Sequence, residues 1–154
     1  MRVSDIDASA VRVAEHKAVQ RDFLRRWSPR AMSGEAIRHE ELLLLLEAAR
    51  WAPSCFNAQP WHFVYAYRET DAWTPLFATL VEGNRKWVER AGVLLACCSR
   101  STFERDDRPN PVHAFDAGAA WENLALQAMH LGLVCHGMAG FDRDAARAAL
   151  ALPE

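Results

Sequence analysis

Between His39 and Trp51 the apolar positions fall at helical spacing. Leu42, Leu45, Leu46 and Ala49 stand at i, i+3, i+4 and i+7, which predicts a helix with one face packed inward. Leu43 and Leu44 widen that face and point to burial on more than one side. A second helix is predicted from Asp116 to Leu131. Ala117, Ala120, Trp121, Leu124, Ala128 and Leu131 repeat along it, and Gly132 stands at its C-terminal cap. This helix is apolar nearly all round, as suits a central buried helix or one at a subunit interface.

The remaining patterns are weaker. Val11 to Arg26 reads as helix on a patchy stripe of Val11, Ala14, Ala18 and Phe23, and Pro29 ends what precedes it. Pro53 stops the leucine-rich helix, and Pro53 to Pro60 is a proline-bracketed loop. His62 to Tyr67 reads as a strand. Trp73 to Leu80 and Asn84 to Arg90 read as short helices broken at Gly83, and Val93 to Cys98 as a strand covered on both faces. Arg100 to His113 is a surface loop. Val134 to Met138 reads as a third strand, Ala139-Gly140-Phe141 as a turn, and Asp142 as the N-cap of a last helix ending near Leu150. The expected class is α+β. Three short strands are few for so apolar a chain, so the sheet reads as incomplete, and no internal repeat or low-complexity segment is present.

Composition narrows the function classes. The chain has 154 residues, 51% hydrophobic and 25% charged, and a formal charge of −2, as expected of one ordinary domain over residues 1–154. Opposite charges are interspersed, which argues against nucleic-acid or anionic-membrane partners. The N-terminal segment lacks a signal peptide's apolar core, and no run is apolar enough to span a membrane, so a cytoplasmic location is expected. Cys55, Cys97, Cys98 and Cys135 have no CxxC spacing and read as reduced thiols.

Three segments carry candidate chemistry. In Arg25-Arg26-Trp27-Ser28-Pro29-Arg30, guanidinium groups and a hydroxyl converge on a proline-stiffened turn, either as a monophosphate grip or as a solvated basic helix end. In the Pro53 to Pro60 loop, Ser54, Asn57 and Gln59 lie beside Phe56 and Trp61. They could read the edge of a flat heteroaromatic ring, or merely satisfy turn backbone. In Cys135-His136-Gly137-Met138-Ala139-Gly140-Phe141, glycines allow backbone N–H groups to approach a ligand. Adjacent Cys135 and His136 would point to opposite faces of a strand, which disfavours a metal or Cys–His pair. No metal-ligand spacing, P-loop, GxSxG or GxGxxG occurs.

Taken in order, these segments resemble the nitroreductase family of FMN-dependent oxidoreductases. The resemblance rests on Arg26-x-Ser28-x-Arg30, then Leu46-Glu47-Ala48-Ala49-Arg50-Trp51-Ala52-Pro53-Ser54 and Asn57-x-Gln59-Pro60-Trp61. Asp116-x-Gly118-x-Ala120 with Asn123-Leu124 and Gly140-Phe141-Asp142 follow, so it runs from about Phe23 to the last residue. It implies a central mixed sheet wrapped by helices in an intertwined homodimer, with FMN at the subunit interface and residues 1–20 as an N-terminal extension. It also implies that Arg26, Ser28 and Arg30 hold the FMN phosphate with backbone help from Trp27. Ser54 and Asn57 would lie against the flavin with Gln59 nearby, and Ala139 and Gly140 would offer N–H groups to the isoalloxazine edge. NAD(P)H would be the co-substrate, giving hydride to flavin N5 for a small acceptor such as a nitroaromatic or quinone, with no obligatory catalytic side chain. The sequence departs from the family pattern at Trp27, where a basic residue is commoner, and at Ala139, where several members have glutamate. Cys55 and Phe56 replace smaller loop residues and narrow the space above the ring. The chain is also C-terminally short of the family's closing strand and tail, so the alternative reading is an FMN-binding or structural dimeric remnant with weak or no reductase activity.

Overall fold

A computed structural model describes residues 8–152. The start of the expected N-terminal extension, and Pro153 and Glu154, lie outside the described residues. Among the described residues, six α-helices and two strands follow in the order α1 (Arg21–Arg25), α2 (His39–Arg50), β1 (Trp61–Tyr67), α3 (Trp73–Ala78), α4 (Glu82–Val88), β2 (Val93–Ser99), α5 (His113–His130) and α6 (Arg143–Ala149). The class is α+β.

Helix α2 forms where its periodicity predicts. Leu42, Leu45 and Ala49 are buried, while Leu43 and Leu44 face outward in the single chain. Its first turn is fixed by Glu41, a buried carboxylate that accepts from the Arg38 N–H (3.0 Å) and pairs with the Arg38 guanidinium (2.9 Å). Helix α5 begins three residues earlier than its apolar pattern does, and Gly132 takes the left-handed φ of 70° that follows its last turn. It is not buried all round, because its hidden stripe is Asp116, Ala117, Ala120, Leu124, Ala125 and Ala128. Asp142 caps α6, its Oδ1 accepting from the N–H groups of Asp144 and Ala145, both at 3.0 Å.

The main core lies where α2 and α5 pack together and onto the sheet, with Leu45, Ala49, Trp61, Ala120, Leu124 and Ala128 at its centre. A second core of Ala66, Trp73, Leu80, Val88 and Leu94 joins α3 and α4 to the other end of the sheet. Strands β1 and β2 are antiparallel, with register running from Trp61↔Ser99 to Tyr67↔Val93.

Several expectations are corrected. Residues 11–20 are not helical. Their apolar stripe has nothing to pack on, Val11 and Val13 being 86% exposed, and only α1 remains of the predicted helix. Gly83 lies inside α4 rather than between two helices. Residues 134–138 form no strand. A strand exists through its neighbours, and a cavity of about 550 Å³ is lined by both this segment and β2, so the two do not pair. For the same reason β2 is only partly covered. The sheet of the described residues therefore has two strands rather than three. The expected surface loop before α5 is partly structured, with a Thr102↔Pro109 bridge and buried Phe103 and Asn110.

Leu45 is 2% exposed in the α2–α5 seam. Leu45→Ala is expected to lower stability by about 2–5 kcal/mol, seen as a fall in the urea midpoint at unchanged slope. A loss below about 1 kcal/mol would show that this seam is not the main support of the fold.

Candidate functional site

The basic segment after α1 is held by Arg12, whose guanidinium donates to the Arg26 carbonyl, and by two contacts from further along the chain. The Arg26 Nε forms an ion pair with Glu122 of α5 at 3.1 Å, and Arg26 Nη1 reaches the Ser28 hydroxyl at 3.4 Å. His136 Nδ1 lies 3.1 Å from the Pro29 carbonyl, and because a carbonyl can only accept, that nitrogen donates. The indole Nε1 of Trp27 is buried without a partner among the described residues, and Arg30 is exposed and unpaired there. The free groups are thus all donors. Only Glu122 opposes them, by taking part of Arg26's charge. Cys135 is close enough for the Arg26 guanidinium to favour its thiolate, yet burial dominates and pushes the thiol up to about 12.

The loop of residues 53–60 is shaped by its backbone. Phe56, Asn57 and Gln59 have φ of 51°, 55° and 46°, in the left-handed region that costs a non-glycine residue about 1–2 kcal/mol, with asparagine the best tolerated. The Ser54 hydroxyl accepts from the Gln59 N–H (2.9 Å), and Gln59 Nε2 donates to Asn57 Oδ1 (3.1 Å). Ser54 therefore does serve the turn backbone, while Asn57 Nδ2 and Gln59 Oε1 have no hydrogen-bond partner among the described residues. The loop is tied to α5 by the buried carboxylate of Asp116, which accepts from the Cys55 N–H at 3.0 Å. Beside it, Asn123 Nδ2 donates to the Ala48 carbonyl at 3.2 Å.

The third group belongs to another element. The Gly140 carbonyl accepts from the Val81 N–H (3.1 Å) and from Asn84 Nδ2 (3.0 Å). A Cβ at Gly140 would lie 2.6 Å from Asn84 Nδ2 and 3.0 Å from Val81 Cγ2, so a side chain there would have to displace the Asn84 amide that bonds the Gly140 carbonyl. The N–H groups of Ala139 and Gly140 make no hydrogen bond within the described residues. No hydrogen bond or ion pair among those residues joins the Arg26–Arg30, Ser54–Gln59 and Ala139–Gly140 groups to one another. Sequence reasoning missed Asp116 and Glu122 as anchors. Asp116 carried a signal, being a carboxylate on an apolar helical stripe, which has to find a partner. Glu122 carried none. Among the described residues no cluster of three metal-ligating side chains occurs, and no helix is long and apolar enough to cross a membrane.

The architecture is that of an α+β oxidoreductase fold. A crystal structure described as an oxidoreductase containing FMN superposes with a TM-score of 0.88 at 44% identity, over 93% of this chain and 73% of its own. The chain belongs to the nitroreductase family, whose model matches residues 24–78 and 67–154. A protein of Archaeoglobus fulgidus named for NADH dehydrogenase or NAD(P)H nitroreductase activity is 29% identical over 133 residues, 84% of this chain and 74% of that protein. A nitroreductase-like structure from Desulfovibrio desulfuricans in complex with FMN has a TM-score of 0.61 at 30% identity, covering 75% of this chain and 64% of that one.

With its thiol pushed up to about 12, native Cys135 is expected to resist iodoacetamide at pH 8 and to react once the protein is denatured, as read by peptide mass spectrometry. Native modification of Cys135 as fast as that of Cys55 would contradict the raised Cys135 thiol.

Proposed function

We propose that this chain is an FMN-dependent oxidoreductase that passes hydride from NAD(P)H to a small acceptor such as a nitroaromatic or quinone, working in the cytoplasm. The observation that carries the reading is the donor set after α1. Arg26, the Ser28 hydroxyl and Arg30, which is unpaired among the described residues, offer hydrogen bonds and positive charge with no carboxylate among them, which suits a phosphate monoester. Bound FMN would supply the hydride chemistry at its N5. The chain's own part is to bind and orient. Arg26 and Arg30 hold the phosphate with the Ser28 hydroxyl, and Ser54, Asn57 and Gln59 line the ring and ribityl chain. The N–H groups of Ala139 and Gly140 donate to the ring's edge, where fixed donors favour developing negative charge. No side chain is assigned a proton transfer.

No hydrogen bond or ion pair among the described residues joins the three groups within one chain, which is compatible with a homodimer as the working unit. Leu43, Leu44, Trp51 and Phe115 are between 49% and 80% exposed, and large apolar side chains grouped on α2 and α5 suit an interface between two copies. One feature favours the second reading, a dimeric remnant with weak FMN affinity: Glu122 already engages Arg26.

The purified protein is expected to be yellow, with flavin bands that bleach on addition of NADH or NADPH. Arg30→Ala is expected to weaken FMN binding about tenfold or more, the loss of a charged hydrogen bond, while Lys86→Ala on exposed α4 leaves it unchanged. A colourless protein that gains no bands with excess FMN would remove the cofactor reading.

Sedimentation equilibrium is expected to return the mass of two chains. The mass of one chain, with FMN bound, would overturn the shared site.

A further inference from the structure

The loop of residues 53–60 has a feature that the proposed FMN role leaves unexplained. Phe56 is a bulky residue at φ 51° and ψ 25°, where its Cβ crowds the backbone, yet it is 74% exposed. Burial therefore does not hold it there. Beyond the hydrogen bonds of the turn itself, its ring touches a second loop. The Phe56 ring meets Phe103 edge-on, with centroids 5.9 Å apart and planes at 72°. Arg105 Cζ lies 4.7 Å from the Phe56 centroid and 5.3 Å from that of Phe103. Edge-to-face rings and a guanidinium over a ring face are both attractive arrangements.

The far side of this contact is firmly built. Phe103 is buried, its N–H donates to the Arg108 carbonyl at 2.8 Å, and its carbonyl accepts from the Asp107 N–H at 2.9 Å. Arg105 Nε pairs with Asp106 at 3.2 Å, and Asp106 is held in turn by Arg108 at 2.8 Å. Arg100 closes the loop on Asp107 at 2.7 Å. The acidic and basic groups of residues 100–108 balance, three of each, so this loop offers no net field to a charged ligand. What it offers is a fixed surface for one ring.

We propose that Phe56, Phe103 and Arg105 form a clasp that sets the left-handed turn at Phe56 and Asn57, and so presents Asn57 and Gln59 to the cofactor. Phe56 and Arg105 are positioning residues, acting through Asn57 and Gln59. Because the left-handed backbone at Phe56 is intrinsically disfavoured, loss of the clasp lets the turn relax and carries both amides out of place. The inference rests on the FMN reading for its functional half, and on the protein alone for its structural half.

The test uses the full chain in two measurements, backbone amide exchange over residues 55–59 without cofactor, and FMN affinity by quenching of flavin fluorescence. Phe56→Ala and Arg105→Gln are expected to speed exchange in this loop and to weaken FMN binding about threefold to tenfold, the range expected of one such ring contact. Far-UV circular dichroism and Tm should stay near those of the parent, since both side chains are exposed. Phe56→Tyr and Arg105→Lys, which keep ring and cation, are expected to restore both readouts, and the double variant Phe56→Ala/Arg105→Gln to be no worse than either single one. Unchanged exchange in both single variants overturns the clasp. Faster exchange with unchanged FMN affinity overturns its positioning role. If the parent protein takes up no FMN, the FMN reading fails and the exchange data alone decide whether the clasp exists.

Discussion

Close approach of α2 and α5 is the constraint on which the rest of the molecule depends. Ala49, Ala120 and Ala128 are fully buried in that seam, and their small side chains let two helix backbones come together before the leucines beside them fill the remaining space. Once α5 is fixed, it acts as the frame for two of the three candidate groups. Asp116 holds the loop of residues 53–60 by the Cys55 N–H, and Glu122 holds the basic segment by Arg26. Asn123 ties the same helix to the carbonyl of Ala48, near the end of α2. These three polar residues share one helix, so a shift of α5 would move the loop of residues 53–60 and the basic segment together. Gly140 stands apart, fastened to Val81 and Asn84 at the start of α4.

What was legible in the sequence follows from the range of the forces involved. Helices α2 and α5 depend on contacts three and four residues apart, and the leucine and alanine spacing states those directly. The residues of 134–138 are equally apolar, but strand formation depends on an edge supplied from elsewhere, and no local pattern shows whether that edge is in reach. Residues 11–20 failed in the opposite way. Their propensity allowed a helix, but a thin stripe had no surface to bury against.

The site divides along the same line. Arg26, Ser28 and Arg30 were legible as a cluster because they are neighbours in the chain. Asn57 and Gln59 were legible as polar residues on a proline-bracketed loop. Their left-handed backbone, and its support by Phe103 and Arg105 some fifty residues on, was not, because that contact crosses between loops. Asp116 was half legible: a carboxylate on an apolar stripe signals a partner without naming it.

The pairing of Arg26 with Glu122 bears on how a phosphate grip would divide its work. Both side chains are partly exposed, at 22% and 38%, and such a pair contributes about 0–1 kcal/mol. A charged hydrogen bond to a phosphate contributes about 1.5–3 kcal/mol, so the pair does not exclude an anion from Arg26. It does lower the return, since Glu122 stays close to any anion that Arg26 binds. Arg30 has no such competitor among the described residues. On the proposed reading Arg26 therefore does two things, anchoring the segment to α5 through Glu122 and giving its remaining donors to the phosphate, whereas Arg30 keeps its whole charge for the ligand. On that reading the two arginines would not be interchangeable, because Arg26 divides its charge between Glu122 and the phosphate and Arg30 does not.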